Sequence, residues 1–312
     1  MRRSTSTDFS DEYGDTTGRE MTPNELPESG ERMLPRMNDA LMLIEHWHRY
    51  VMAQHFCAGR TVLDIASGEG YGAHLLSRSA AQVIGVDIDE AAIEHARHRY
   101  SRANLSFRRG GVDAIPVADK SIDVVVSFET LEHHGQHDEM MLEIKRVLRE
   151  DGLLIISTPD KKYYSDVRGH RNPYHVRELY RHEFAELIGK YFTHVQMLAQ
   201  ASGTMSVLYP ASAGNISQCW SATGRDDDVV IHQDIGAEYL IAIASPSRME
   251  YAPLSVFDGT RLAADIRDAE LDLLRRSETY RIGSLVVRPL KWLKKAWVGE
   301  RRPTQGQGRR AG

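Results

Sequence analysis

TVLDIASGEGYG, Thr61 to Gly72, decides the fold. Thr61 to Ala66 is a short apolar run rich in β-forming residues, and the glycine cluster that closes it leads into AHLLSRSA, a helical stretch. A strand ending in a tight Gly68-x-Gly70-x-Gly72 turn before a helix brings backbone close against a ligand, because glycine has no Cβ. The next apolar run, QVIGVDID, reads as a second strand with Asp87 near its end. An acid about 20 residues beyond the glycine turn is placed to accept both hydroxyls of a ribose. A glycine triplet alone is weak evidence; strand, turn, helix and Asp87 in register point to a nucleoside.

The same rhythm continues downstream. EAAIEHARHRY reads as a helix, Asn104 to Arg109 as a third strand and Ser121 to Phe128 as a fourth. Glu139 to Arg149 reads as a helix, and Leu153 to Ser157 as a fifth strand after an Asp151-Gly152 turn. Strands alternating with helices predict βαβ units and an α/β, doubly wound, mostly parallel sheet covered on both faces. Upstream, apolar residues at helical spacing predict a helix from Asn38 to the Ala58-Gly59 stop. Beyond Pro159 a polar, tyrosine-rich stretch reads as an excursion over the mouth of the sheet. HEFAELIGKYF then predicts a helix, and FTHVQMLAQ and GAEYLIAIASP two more strands. Ala201 to Asp234 shows little pattern and reads as a functional loop or a partly disordered one.

Composition narrows the function classes. No apolar run reaches the roughly 20 residues that span a bilayer, and the two arginines at the N-terminus have no apolar stretch behind them, so no secretory signal is expected. Two cysteines, Cys57 and Cys219, fit a reducing compartment, and a cytoplasmic protein is expected. The net charge of −5 hides an asymmetry: from Arg275 onward eleven Lys/Arg face two acids, while the preceding residues carry 28 Lys/Arg against 42 acids. An acidic body argues against a nucleic-acid partner.

SFETLEHH, Ser127 to His134, follows the fourth strand, at the edge where doubly wound sheets bind ligands. If a helix starts there, Glu129, Glu132 and His133 share one face at i, i+3 and i+4. Two carboxylates and an imidazole suit a divalent cation, or His133 is a lone general base. The alternative is that the acids favour a helix N-terminus and the histidines are solvated. His46, His48 and Arg49 on the first helix read as a solvated face. Tyr163, Tyr164, Tyr174 and Tyr180 stack on a sugar ring or pack the excursion onto the domain.

The chain from about Arg60 to Pro246 resembles the class I S-adenosylmethionine-dependent methyltransferases. The resemblance rests on the G-x-G-x-G loop after a strand ending in Asp64, on Asp87, and on GGVDAIPVADKSIDVVVS, which is similar to that family's G-D-A-x-x-L-P-F and following strand. It implies a seven-stranded Rossmann-like sheet with an antiparallel last strand, and S-adenosyl-L-methionine as cofactor. It further implies that Asp64, Ala66, Gly68, Gly70, Asp87, Ile88, Val112, Asp113 and Phe128 bind that cofactor, Val112 and Asp113 beside the adenine. The motif's usual acid falls on Gly111 here, so Asp113 replaces it or only backbone makes that contact. Glu-x-x-Glu-His looks like the metal-binding element of ubiquinone-pathway O-methyltransferases and small-RNA 2′-O-methyltransferases, and HVRELYRHEF matches the downstream histidine stretch of the latter. The likeness implies Glu129, Glu132, His133 and His175 around a divalent cation such as magnesium, with His133 and Glu129 as catalytic residues. GERMLP, FETLEHH and NPYHVREL also look like methyltransferases of O-antigen, polysaccharide and glycolipid assembly, which implies a small-molecule or glycan acceptor.

Three segments are therefore expected: a disordered stretch over 1–36, the cofactor domain over 37–247, and a helical, basic, amphipathic tail over 248–312. Residues 281–298 mix leucine, valine and tryptophan with Lys and Arg, which suits peripheral contact with an anionic bilayer or docking on the acidic body. Pro289 would break or kink a helix there.

Overall fold

The computed structural model of the chain describes residues 33, 39–211, 219–222, 229–232, 236–277, 279–280 and 282. Valine- and isoleucine-rich runs form β1 (Thr61–Ile65), β2 (Gln82–Asp87), β3 (Leu105–Arg109), β4 (Ile122–Ser127) and β5 (Leu148–Pro159). Between and around them lie α1 (Ala40–Cys57), α2 (Tyr71–Leu76), α3 (Glu90–Arg99), α4 (His137–Val147) and α5 (Arg181–Tyr191). The chain continues through β6 (His194–Ser202), β7 (Met205–Pro210), a hairpin of β8 (Cys219–Ala222) and β9 (Val229–His232), β10 (Tyr239–Ser245), β11 (Ser255–Asp258) and α6 (Thr260–Arg276).

The main sheet has nine strands in the order β11-β7-β6-β10-β5-β4-β1-β2-β3. β1 to β5 are mutually parallel, and β10 runs antiparallel between β5 and β6. Those seven strands make the expected doubly wound sheet; β7 and β11 extend it with two further antiparallel strands. Successive residues of β1 point to opposite faces, as strand geometry requires. Val62 packs with Ala53, Leu76 and Ile93 of α1, α2 and α3. Leu63 and Ile65 pack with Met140, Ile144, Phe184 and Ile188 of α4 and α5. The side chains named are all at most about 1% exposed, so the sheet is sealed on both faces.

Four expectations are corrected. The Asp151-Gly152 step lies inside β5, as an irregularity in its pairing with β4, rather than before the strand. The stretch Ala201–Asp234 is not one loop: β6 runs on to Ser202, β7 pairs back on it, and β8 and β9 pair with each other. Residues 248–312 are not all tail, since β11 pairs with β7 and Ala252 is buried in the core. Met33 is likewise buried and belongs to the core cluster; the other residues of 1–36, and 283–312, lie outside the described residues. Among the described residues, no helix is long and apolar enough to cross a membrane.

Candidate active site

β1 lies between β2 and β4, so the chain reverses its winding there and opens a crevice at the carboxyl ends of these strands. The glycine turn fills the near side. Ala66 and Gly68 take left-handed φ values of 58° and 55°, and Gly70, at 96°, caps α2. A Cβ on Gly70 would stand 2.8 Å from Ala96 Cβ and from Phe107, and one on Gly72 only 2.0 Å from Tyr50 Cζ. Glycine is required at both positions because neighbouring elements close directly on the turn. Ser67 N–H donates to the Val86 carbonyl at 2.9 Å, tying the turn to β2.

Asp87 is buried at the end of β2 and is held from two sides. Gly68 N–H donates to Oδ2 at 2.8 Å and Asp89 N–H to Oδ1 at 2.9 Å. Each oxygen keeps a further lone pair for a ligand hydroxyl. Ile88, next along, is 71% exposed, an apolar side chain in the open at the same sheet edge. Gly110 N–H donates to the Asp87 carbonyl, which brings the Gly110–Asp113 segment alongside, with Val112 half-buried and Asp113 exposed.

Asp64 is fully buried at the far side of the turn, and Tyr50 Oη donates to its Oδ1 at 3.2 Å. Burial, with the Asp87 charge adding to it, pushes the Asp64 carboxyl up to about 7 against the Tyr50 bond.

A cavity runs from this turn across the sheet edge. Ala66, Ser67, Gly68 and Phe128 line one end; Glu132, His133 and His175 line the other. Tyrosines 50, 71, 164 and 239, with His46 and Asn172, add aromatic and polar walls, and Met33 and Met42 close it from the N-terminal side. Ser67 Oγ is buried without a hydrogen-bond partner among the described residues, an orphaned polar atom of the kind a ligand satisfies. Asp64, Gly70, Asp87, Ile88, Val112 and Asp113 stand outside this lining, Asp87 and Ile88 at the end of β2 and Val112 and Asp113 just beyond β3.

No helix face brings Glu129, Glu132 and His133 together. Glu129 sits at φ 51°, and only Leu131–His133 form a single 3-10 turn. The sharp turn out of β4 forces this, and Ser157 of β5 secures it. Glu129 N–H donates to Ser157 Oγ at 3.2 Å, and that hydroxyl donates back to Glu129 Oε1 at 2.5 Å. Ligand atoms of Glu132, His133 and His175 lie within 4.8 Å of one another. Glu129 is outside that group, a correction to the expected four ligands, because Ser157 holds it and Arg49 Nη1 faces it at 4.0 Å.

The trio is oriented from behind. Glu132 is 1% exposed and accepts from Thr158 Oγ1 at 3.1 Å. Burial, and then the Glu129 charge beside it, hold its carboxyl well above the usual carboxylate range. His175 Nδ1 donates to Glu178 Oε1 at 2.6 Å, and His133 Nδ1 to the Tyr174 carbonyl at 3.2 Å. Both imidazoles are thereby fixed as the tautomer whose lone pair is on Nε2, the usual support for a metal-binding histidine; that of His175 accepts from Asn172 Nδ2 at 3.0 Å, a bond that a metal ion would replace. Tyr164 stacks on His175 with centroids 5.3 Å apart, whereas Tyr180 packs the excursion by donating to Asp166.

The first helix departs most from its reading as a solvated face. Arg49 is 0% exposed, donates to Gln200 Oε1 at 2.7 Å and lies 4.8 Å from the Tyr239 ring centroid. His48 is buried between Ser206 Oγ and Ser255 Oγ, each at 2.9 Å. His46 Nδ1 is 2.7 Å from Tyr71 Oη, and burial lowers its pKa well below the usual imidazole value. Sequence reasoning also missed Ser67, Tyr71, Ser157 and Tyr239; the glycine loop flanks the first two, but nothing in the chain marks Ser157 or Tyr239 as site residues.

Residues 57–208 match the family described as a methyltransferase domain. The chain is 40% identical over 172 residues to a probable S-adenosylmethionine-dependent methyltransferase of Mycolicibacterium smegmatis, covering 53% of this chain and 65% of that protein. A probable S-adenosylmethionine-dependent methyltransferase of Mycobacterium tuberculosis is 38% identical over 173 residues, covering 54% and 61%. A phthiotriol/phenolphthiotriol dimycocerosates methyltransferase of Mycobacterium ulcerans is 32% identical over 113 residues, covering 36% and 39%. The chain spans 61–65% of the length of the first two relatives. The strand order, the glycine turn and the seat of Asp87 agree with these matches, so residues 57–208 resemble a methyltransferase domain.

Proposed function

We propose that this chain O-methylates a sugar hydroxyl on a cell-surface polysaccharide or glycolipid precursor. The observation that supports it most is one cavity with the glycine turn at one end and the acid–histidine trio at the other. S-adenosylmethionine, when bound, supplies a methyl group on a positively charged sulfur, open to in-line attack. Residues of the glycine turn, with the orphaned Ser67 hydroxyl, would hold its amino-acid end, Asp87 its ribose, and Ile88 with the Gly110–Asp113 backbone its adenine. Fixing donor and acceptor in one cavity removes the entropy cost of bringing them together.

Acceptor activation falls to the other end. Glu132, His133 and His175 would hold a divalent ion, which supplies Lewis acidity to an acceptor oxygen. Two imidazoles and one carboxylate suit a borderline ion such as manganese, iron or zinc better than magnesium, which prefers oxygen ligands. Glu129, tethered apart from the trio with the Arg49 charge beside it, takes the acceptor's proton. The aromatic and amide walls suit a polar ring better than a wide apolar one.

A lipid-borne acceptor is the second reading, favoured by the dimycocerosate acceptor that the name of the M. ulcerans relative gives. An assay of S-adenosylhomocysteine release, run with nucleotide-sugar and glycolipid acceptors in one arm and lipid alcohols in the other, separates the two. Turnover on the sugar arm that a chelator stops is expected. Turnover confined to the lipid arm overturns the sugar assignment, and full turnover after metal removal overturns the ion.

A further inference from the structure

His175 is bonded on both of its ring nitrogens. Nδ1 donates to Glu178 Oε1 at 2.6 Å, which leaves the lone pair on Nε2, and Nε2 lies 3.0 Å from Asn172 Nδ2. The other end of the amide fixes which of its atoms faces the ring. Tyr174 N–H donates to Asn172 Oδ1 at 3.0 Å, closing a turn within the excursion, so the amide nitrogen and not its oxygen meets His175. The His175 side chain is only 6% exposed, and a buried acceptor left without a partner costs stability. Asn172 therefore satisfies the imidazole when the site is empty. It is not needed to aim the ring, because Glu178 holds it at one edge and Tyr164 stacks on its face with centroids 5.3 Å apart.

We propose that Asn172, on the reading of Glu132, His133 and His175 as the ligands of a divalent ion, is a built-in competitor for that ion. It occupies the His175 lone pair until the ion displaces it, and so raises the ion concentration at which the site loads. One lone pair serves one partner, either the amide hydrogen or the cation. Loading the site gives up one hydrogen bond, whose net worth corresponds to a penalty of roughly three- to tenfold in ion affinity. The exchange is confined to one side chain, since Glu178 and Tyr164 hold the ring whichever partner it has. Asn172 lines the same cavity, so the competitor sits where the ion arrives.

The test is calorimetric titration of manganese(II) into the full chain and into Asn172→Ser. A serine hydroxyl can still accept from the Tyr174 N–H but is too short to reach His175, so this variant removes the competing bond and keeps the turn. Manganese is expected to bind the variant about three- to tenfold more tightly than the parent. An amide that merely shaped the site would weaken ion binding when lost. In nitrogen-15 NMR of the parent, the Asn172 side-chain amide signal, identified by its loss in Asn172→Ser, should shift as zinc saturates the site. Equal or weaker manganese binding by a variant with parent-like circular dichroism overturns the proposal and leaves the ion reading standing. So does an Asn172 amide signal that zinc does not move. Binding of manganese by neither chain overturns the ion reading and the competitor with it.

Discussion

The two ends of the cavity are built in opposite ways. The glycine turn and Asp87 come from 27 consecutive residues, Thr61 to Asp87, and their geometry is made by local backbone bonds such as Gly68 N–H to Asp87 at 2.8 Å. The acceptor end is assembled from α1, the 3-10 turn after β4, the end of β5, the excursion before α5 and the start of β10. A local end is set by strand order and can be shared by many relatives. An assembled end changes with any of five segments, which is where specificity on a common fold resides.

If that division holds, His175→Ala should separate the ends most sharply. Methyl transfer to the true acceptor is expected to fall about a thousandfold or more, roughly 4 kcal/mol of barrier, while S-adenosylmethionine affinity changes less than about twofold. Loss of cofactor binding in that variant would show that the ends are not separable.

Arg49→Met probes the joint between them. Arg49 is fully buried, bonded to Gln200 and facing Glu129. Deleting one partner from such a buried arrangement is expected to cost about 3 kcal/mol in urea denaturation, with the β6 strand and the β10 tyrosine losing their shared anchor. A stability within about 0.5 kcal/mol of the parent would mean that the acceptor end does not depend on this cation.

Asp64 tests the local side through pH. Its carboxyl titrates near 7 in the folded chain against 3.8 ordinarily. The folded state therefore holds the proton more tightly than the unfolded one, so this group's contribution to stability is full below about pH 4 and is lost as pH rises through 7. Asp64→Asn should flatten that fall in unfolding free energy between pH 4 and pH 8. Parallel pH profiles for parent and variant would contradict the burial that causes it.

The same contrast governs what could be read without coordinates. β1 to β5 were legible because strands buried on both faces are continuous apolar runs, and Gly68, Gly70 and Asp87 because their spacing is local. Glu132, His133 and His175 come together, but not by the route their spacing predicts. The expected helix face does not exist, since a left-handed Glu129 leaves no mark in the sequence. The largest error concerned α1. His46, His48 and Arg49 read as a solvated stripe because charged residues usually are one, but β7 and β11 carry Ser206 and Ser255 to His48 and β6 carries Gln200 to Arg49. Those partners lie more than 150 residues away, and β11, the edge strand, and β7 beside it are short and of broken apolar pattern.

The most direct test of the account is calorimetric titration of S-adenosylmethionine into the parent chain and into Asp87→Ala. One-to-one binding by the parent, weakened about 10- to 100-fold in the variant through loss of charge-assisted hydrogen bonds, is the predicted result. A parent that binds no S-adenosylmethionine, or a variant that binds it equally well, would contradict the assignment of this crevice as the cofactor's seat.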